Sequence, residues 1–80
     1  PEAHVLRQEQ SEEIWQLIGT LAPRHQDVIT LKFFGGLRNR EISTILNVDE
    51  RTVAAYLCRG IENLHGKYQR ALLRSKDEAE

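Results

Sequence analysis

The sequence has little of what would cross-link or anchor a small domain. Its 80 residues contain one cysteine, Cys58, so no internal disulfide can form, and a reducing compartment is expected. No signal-like stretch and no apolar run long enough to span a bilayer is present, which predicts a soluble cytoplasmic protein without membrane contact. The chain has no methionine and starts with proline, so we expect a fragment of a longer protein or a processed product.

Patterns of catalysis and metal binding are also missing. None of the three histidines has a second ligand at metal spacing, and Cys58 has no CxxC partner. The acid pairs Glu12-Glu13 and Asp49-Glu50 have the placement of helix-start residues, and Gly35-Gly36 lacks the lysine and the preceding strand of a phosphate loop. We therefore expect no enzyme, catalytic residue, metal site, cofactor or small-molecule substrate.

The charge is distributed unevenly, although the net charge is only −1. Residues 1–21 carry four acids and one base, and residues 77–80 add three acids. Residues 22–76 hold ten Lys/Arg against five acids, a net of +5. A basic middle between acidic ends is typical of a nucleic-acid binder with a solvated leader, but ordinary solvated helix faces would give the same pattern.

Hydrophobic periodicity predicts a small all-α domain of four helices without strands. The first helix is expected over 11–21, capped by Ser11, and the second over 23–34, started by Pro23 and ended by Gly35-Gly36. Their core candidates are Ile14, Trp15, Leu17, Ile18, Leu21, Val28, Ile29, Leu31, Phe33 and Phe34.

Two further helices are expected after these, joined by a short turn. The third runs over 38–46, and Asn47, which tolerates the left-handed conformation, permits the turn. The fourth begins at Asp49, whose carboxylate can cap the backbone N–H of Arg51 or Thr52. The two glycines of the fourth helix predict bending or fraying of its C-terminal half. The core candidates here are Ile42, Ile45, Leu46, Val53, Leu57, Ile61, Leu64, Tyr68 and Leu72.

The domain organisation is simple, because the sequence contains no internal repeat and no low-complexity tract. Residues 1–80 are expected to form one helical domain. Within it, residues 1–10 are a leader or linker, residues 11–76 the four-helix region and residues 77–80 an acidic tail.

The third and fourth helices, at about 38–61, have the layout of a helix-turn-helix. If Val53, Leu57 and Ile61 face the core, the opposite side of the fourth helix is free to enter a major groove. We call that side the recognition face. It consists of Arg51, Ala54, Ala55, Cys58, Arg59 and Glu62.

These side chains have chemistry suited to DNA. Arg59 can reach a guanine edge or a phosphate, the two alanines can pack on thymine methyl groups, and Thr52 can bond to backbone or base. Arg38, with Asn39 and Arg40, can clamp phosphates at the start of the third helix. Any one of these arginines alone would be interpreted as an ordinary solvated side chain. The placement of several arginines around one turn favours nucleic-acid binding. The candidate DNA-binding residues are Arg38, Arg40, Arg51, Thr52, Ala54, Ala55, Cys58 and Arg59.

Residues 21–64 read LAPRHQDVITLKFFGGLRNREISTILNVDERTVAAYLCRGIENL. A leucine-x-proline-arginine motif precedes an apolar helix that ends in phenylalanine, and glycine-leucine, glutamate-isoleucine, threonine-valine and an arginine follow. These residues are Leu21, Pro23, Arg24, Phe34, Gly36, Leu37, Glu41, Ile42, Thr52, Val53 and Arg59. The combination resembles the C-terminal domain, region 4, of bacterial RNA polymerase sigma factors, most closely the extracytoplasmic-function type.

This resemblance implies a DNA-binding domain that recognises the upstream (minus-35) promoter element and docks on the flap of the polymerase beta subunit. Anti-sigma proteins are common partners of this type. Carried over by position, the base-reading residues are Thr52, Ala54, Ala55, Cys58 and Arg59, with Arg38 and Arg40 near the DNA backbone.

The chain departs from the family pattern at the recognition helix. The family usually has lysine or arginine, then serine, then arginine, where this chain has Ala54, Ala55 and Tyr56. Ser43 and Asn47 replace the usual alanine and glycine around the turn. Fewer cations predict weak, salt-dependent binding of the isolated domain. We favour an A·T-rich site met by Ala54, Ala55 and Tyr56 over a shift toward protein contacts, although a tyrosine beside an apolar stripe more commonly packs at the core edge.

Two alternatives remain open from the residues. One is the helix-turn-helix output domain of a dimeric transcription regulator, which shares several of these positions. The other is a protein-interaction module bound by an anti-sigma-like partner.

Overall fold

The computed structural model describes the backbone of residues 12–79 and the side chains of residues 12–74. The expected leader and the Ser11 cap lie outside these residues. Over the described part the chain is all-α, as its sequence predicts, and contains four helices and no strand. The helices are α1 (residues 12–18), α2 (Pro23–Ile29), α3 (Asn39–Leu46) and α4 (Glu50–Ala79).

Helix α1 is shorter than predicted, because the chain leaves it after residue 18 and turns through residues 19–21. Ala22 is extended (ψ 145°), the conformation favoured before a proline, and Pro23 then starts α2. The side-chain amide of Gln26 donates to the carbonyl oxygen of Leu21 at 2.7 Å, and this bond holds the turn against α2.

The end of α2 is a wider helical turn than the sequence indicates. Residues Thr30–Phe34 continue α2 as a π-helix, in which the N–H of Gly35 donates to the carbonyl of Thr30 at 3.0 Å. Gly36 then adopts a positive φ of 69°, and the N–H of Leu37 returns to the carbonyl of Leu31 at 3.1 Å. The predicted termination at Gly35-Gly36 is confirmed, because only glycine takes the left-handed conformation without steric cost.

The core lies where α1, α2 and α3 meet the first half of α4. At Gly60 the helices approach closely, since a Cβ atom there would lie 2.9 Å from Ile29 Cδ1 and 3.2 Å from His25 Cβ. Glycine therefore sets the spacing between α2 and α4. The buried apolar side chains are Ile18, Leu21, Val28, Ile29, Ile42, Val53 and Leu57.

Four predicted core residues that precede α4 are on the surface instead. The exposed fractions are 45% for Trp15, 58% for Phe33, 51% for Phe34 and 58% for Ile45. Trp15 stacks on Phe34 with ring centroids 4.1 Å apart, which joins α1 to the end of α2 outside the core. The prediction was wrong because periodicity gives the apolar side of each helix, and the neighbouring helices do not cover these four side chains.

The fourth helix continues without interruption through Gly60 and Gly66 to Ala79, and the bending or fraying expected from the two glycines stays a prediction. Its 30 residues extend through the first three positions of the expected acidic tail, and the longest dimension of the molecule is 47 Å. Ile61 and Leu72, which were predicted to be core residues, are 43% and 44% exposed. The shorter helices cover only part of α4, and its C-terminal half keeps two uncovered flanks.

Candidate nucleic-acid interface

The turn between α3 and α4 has the tight geometry that a helix-turn-helix requires. Asn47 ends α3 in the left-handed conformation (φ 56°, ψ 46°), as its sequence position predicts. The N–H groups of Asn47 and Val48 both donate to the carbonyl of Ser43, the second at 3.1 Å, and these bonds close the end of α3. Three residues, 47–49, separate the two helices, and α3 and α4 are thereby held at a fixed angle.

Asp49 caps α4, which confirms the prediction for this residue. Its Oδ1 accepts the N–H of Thr52 at 2.8 Å. Hydrogen bonds from the N–H and the hydroxyl of Thr52, and a weaker effect of the N–H of Arg51, hold the pKa of the Asp49 carboxyl below its ordinary value of 3.8, although desolvation acts in the opposite direction. The cap fixes the first turn of the helix on which the recognition face lies.

The recognition face is exposed at every position that the sequence predicts for it. Val53, Leu57 and Gly60 are buried on the opposite side of α4, and this orientation turns the recognition face to solvent. Its centre is small and apolar, and an arginine lies toward each end. The exposed residues are Arg51, Ala54, Ala55, Cys58, Arg59 and Glu62.

Thr52 has a different environment from the rest of the predicted set. It is half-buried, and both its N–H and its hydroxyl bond to Asp49. In this arrangement the hydroxyl belongs to the cap. Thr52 therefore acts on the recognition face mainly by fixing the start of α4.

The start of α3 presents two exposed guanidinium groups, those of Arg38 and Arg40. The backbone N–H of Arg38 already donates to Glu41 Oε1 at 3.0 Å. The negative charge of this carboxylate partly neutralises the positive end of the helix dipole. Asn39 Oδ1 accepts a bond from Lys32 Nζ at 3.0 Å, which ties α3 to the π-helical turn. Phosphate contacts at this end therefore depend on the side chains of Arg38 and Arg40.

Tyr56 lies outside the recognition face. It is half-buried and packs against the core, with its ring centroid 6.3 Å from that of His25 on α2. The suggestion that Tyr56 joins the alanines in meeting A·T pairs is therefore wrong. The residue lies at the edge of the contact between α2 and α4.

Two surfaces on the C-terminal half of α4 were missed by the sequence reasoning. The apolar flank (Ile61, His65, Tyr68 and Leu72) borders a shallow groove to which α1 contributes Ile14. The basic flank (Lys67, Arg70 and Arg74) lies on the other side of the line where α1 crosses α4. The signal was present as spacings of three, four and seven residues along a helix, but it was interpreted as core and solvated face.

Over the residues that the structure describes, no three His, Cys, Asp or Glu side chains come close enough to hold a metal ion. None of the described helices has the length and apolarity that crossing a membrane requires.

Comparison with known proteins identifies the family of the domain. Neither the curated proteins nor the solved structures contain a match to the chain. The family model described as "Sigma-70, region 4" matches residues 11–64, which include α1, α2, the complete helix-turn-helix and the first half of α4. The chain therefore belongs to the sigma-70 region 4 family, and it is a DNA-binding, non-enzymatic helix-turn-helix domain of a sigma factor, of the kind that acts with RNA polymerase at promoter DNA in transcription initiation.

Proposed function

We propose that this domain recognises the minus-35 promoter element for an alternative sigma factor of the extracytoplasmic-function type. The observation that carries the proposal is the recognition face, on which Arg51, Ala54, Ala55, Cys58 and Arg59 are exposed on one side of a capped helix. An exposed α-helix of this kind fits the width of a major groove. The buried side of the same turns is held by Val53 and Leu57, so the helix enters the groove as a rigid unit.

The contacts divide by chemistry. Arg59 lies one turn beyond Ala55 and reads a guanine edge, whereas Arg51 at the helix start binds a phosphate. Ala54 and Ala55 pack on thymine methyl groups, and their small size lets α4 lie deep in the groove. Arg38 and Arg40 bind phosphates from α3. We therefore expect a site with A·T pairs at its centre and a G·C pair near one end.

Docking on RNA polymerase is proposed for the apolar flank of α4. Ile14, Ile61, Leu64, His65 and Tyr68 line a groove whose walls are apolar, and Leu72 continues it for another turn. A groove of this kind accepts the apolar side of a helix from a partner. We propose that the flap of the beta subunit binds here and that an anti-sigma protein competes for the same groove.

DNA recognition is tested by selection from a random duplex pool, performed with this chain at low ionic strength. We expect the unchanged chain to enrich a motif. In Arg59→Ala this motif should be lost, or should lose its preference at one G·C position, because bidentate arginine contacts discriminate by about 1–3 kcal/mol per base pair. Arg70→Ala is the matched control, since Arg70 is an exposed arginine on the same helix outside the recognition face. The same enriched motif in Arg59→Ala and in the unchanged chain would contradict the proposal.

Docking is tested by titrating the chain with the isolated flap segment of the beta subunit. Leu72→Ser is expected to weaken binding severalfold, and Leu73→Ser is the control, because Leu73 is 62% exposed but lies outside the apolar flank. Equal loss in both variants, or in neither, would assign docking to another surface. Sedimentation of the free chain tests the alternative of a dimeric regulator, since a stable dimer would favour it.

A further inference from the structure

The basic flank of α4 forms one wall of a cleft that the proposed DNA and polymerase contacts do not use. Lys67, Arg70 and Arg74 follow each other at intervals of three and four residues, so they lie on one side of the helix. Leu17 of α1 and Thr20 of the turn that follows α1 form the facing wall. The cleft therefore combines three cations with one half-buried apolar side chain.

The three cations have different tasks. Lys67 Nζ donates to the carbonyl oxygen of Thr20 at 3.0 Å and to its hydroxyl oxygen at 2.7 Å. These bonds fix the end of α1 on α4, so Lys67 is part of the scaffold. Arg70 and Arg74 are exposed, and they present guanidinium groups on one wall of the cleft.

The position of the cleft argues against contact with the duplex that the recognition face binds. At 1.5 Å per residue, Arg70 and Arg74 lie about 16–22 Å beyond Arg59 along α4. At 100° per residue, Arg74 is rotated by roughly 130° from the centre of the recognition face. Arg70 lies within about 20° of Arg59 around the helix, so the distance along α4 is what separates it from the recognition face. When the first half of α4 lies in a groove about 12 Å wide, this end of the helix projects away from the DNA.

The cleft is also separate from the apolar flank. Helix α1 crosses α4 between the two, with Ile14 on the apolar side and Leu17 and Thr20 on the basic side. A partner in the apolar groove therefore leaves the cations accessible. The C-terminal half of α4 has two surfaces of opposite chemistry.

We propose that this cleft binds an acidic protein segment, whose carboxylates pair with Arg70 and Arg74 and whose apolar side chain covers Leu17. A planar guanidinium matches a carboxylate with two parallel hydrogen bonds, and two arginines four residues apart match two acids on successive turns of a helix. Leu17 supplies apolar area in the same contact, which favours an amphipathic acidic helix over a free anion. A second protein could bind at this site while the domain is bound to DNA.

The test uses a synthetic alanine-based helical peptide with two glutamates four residues apart and a leucine on the same side, and its glutamine analogue. Binding to the 80-residue chain is measured by fluorescence anisotropy at low ionic strength. We expect the glutamate peptide to bind and the glutamine analogue to bind at least about tenfold more weakly, because charge-assisted pairs are about twice as strong as neutral ones. Arg70→Gln/Arg74→Gln should cause a similar loss.

The control variant is Arg24→Gln/Arg51→Gln, which removes the same charge from exposed positions outside the cleft. It should bind the peptide like the unchanged chain. Equal loss in both double variants would reduce the effect to net charge and would overturn the proposal. Circular dichroism of each variant confirms that the helices are retained.

A measurement of DNA binding by the same variants distinguishes failure of this inference from failure of the proposed function. Binding of a duplex without a selected motif should be unchanged in Arg70→Gln/Arg74→Gln. If the double variant loses duplex binding and keeps peptide binding, the basic flank is a DNA surface, and the inference fails while promoter recognition stands. Failure of the DNA selection described above would leave the peptide result unaffected.

Discussion

At the scale of single residues, the recognition face has an unusual centre. Two alanines occupy its middle, and arginines lie toward its ends at Arg51 and Arg59. An alanine side chain has no group that pairs with a phosphate or forms a hydrogen bond with a base. Under the proposed function, specificity would therefore depend on close approach of the helix and on Arg59, and the affinity would gain little from charge.

A cation placed in this centre should raise the affinity for DNA and the salt dependence of binding. Ala55→Lys is expected to raise the affinity for all duplexes and to steepen the dependence of log K on log salt by about 0.9, the value for one added phosphate contact. Affinity is measured over a range of salt concentrations. Gln69→Lys is the control, because Gln69 is exposed on the same side of α4 but lies about 21 Å farther along the helix. An identical effect in both variants would mean that Ala55 does not face the DNA.

Asp49 connects the fold to pH. Its pKa in the folded state is lowered, chiefly by the N–H of Thr52, so the ionised cap stabilises the fold above the pKa of the unfolded chain, 3.8. This contribution is lost as the pH falls through the lower folded-state value. We expect Asp49→Ala to reduce stability at pH 7 and the difference from the unchanged chain to narrow below about pH 4.

Urea denaturation at a series of pH values measures this difference. Asp27→Ala is the control, since Asp27 is an exposed aspartate of α2 that caps no helix. A gap between the unchanged chain and Asp49→Ala that stays constant down to pH 3 would contradict the capping role.

At the scale of the helices, the two glycines of α4 have opposite roles. Gly60 lies in the contact with α2, where a Cβ atom would be 2.9 Å from Ile29 Cδ1 and 3.2 Å from His25 Cβ. Gly66 has ordinary space around it, with Arg70 Nη1 3.6 Å from the Cβ position. One glycine is required by packing and the other only weakens the helix.

The pair therefore predicts opposite signs for one substitution. Gly66→Ala should stabilise the domain by about 0.5–1 kcal/mol through helix propensity. Gly60→Ala should destabilise it by about 1–2 kcal/mol, because overpacking between α2 and α4 exceeds the gain in propensity. Urea denaturation of each variant measures the free energy of unfolding. Stabilisation by both substitutions would show that Gly60 is not a packing constraint.

At the scale of the whole molecule, the net charge is −1, and the four arginines of the helix-turn-helix stand against three acids within residues 38–61. Arg38, Arg40, Arg51 and Arg59 are the cations that we place on DNA. If all four contact phosphates, log K should fall with log salt with a slope of about −3.6, and the slope is smaller by about 0.9 for each arginine that contacts a base instead. Binding near physiological salt should therefore be weak in the isolated chain.

Titration of a selected duplex at increasing salt measures this slope. Arg38→Gln should reduce it by about 0.9 without changing the selected motif, because a phosphate contact carries no sequence information. A change of motif in Arg38→Gln would place this residue on a base.

The sequence alone determined the class of the fold, the turn at Asn47, the cap at Asp49, the end of α2 at Gly35-Gly36 and the family. These features depend on local rules, since a left-handed residue, a carboxylate before a helix and a glycine pair act within a few residues of themselves. The exposure of the recognition face followed in the same way, because Val53 and Leu57 fix which side of α4 is buried.

Only the tertiary structure decided which apolar residues form the core and which surfaces remain open. Trp15, Phe34, Ile45 and Ile61 have the periodicity of core residues, but the neighbouring helices leave them exposed. The turn of Tyr56 toward His25 and the two flanks of α4 arise from how α1 and α2 cross the long helix. Periodicity specifies the side of a helix that is apolar, whereas burial depends on the length and crossing of the helices that pack against it.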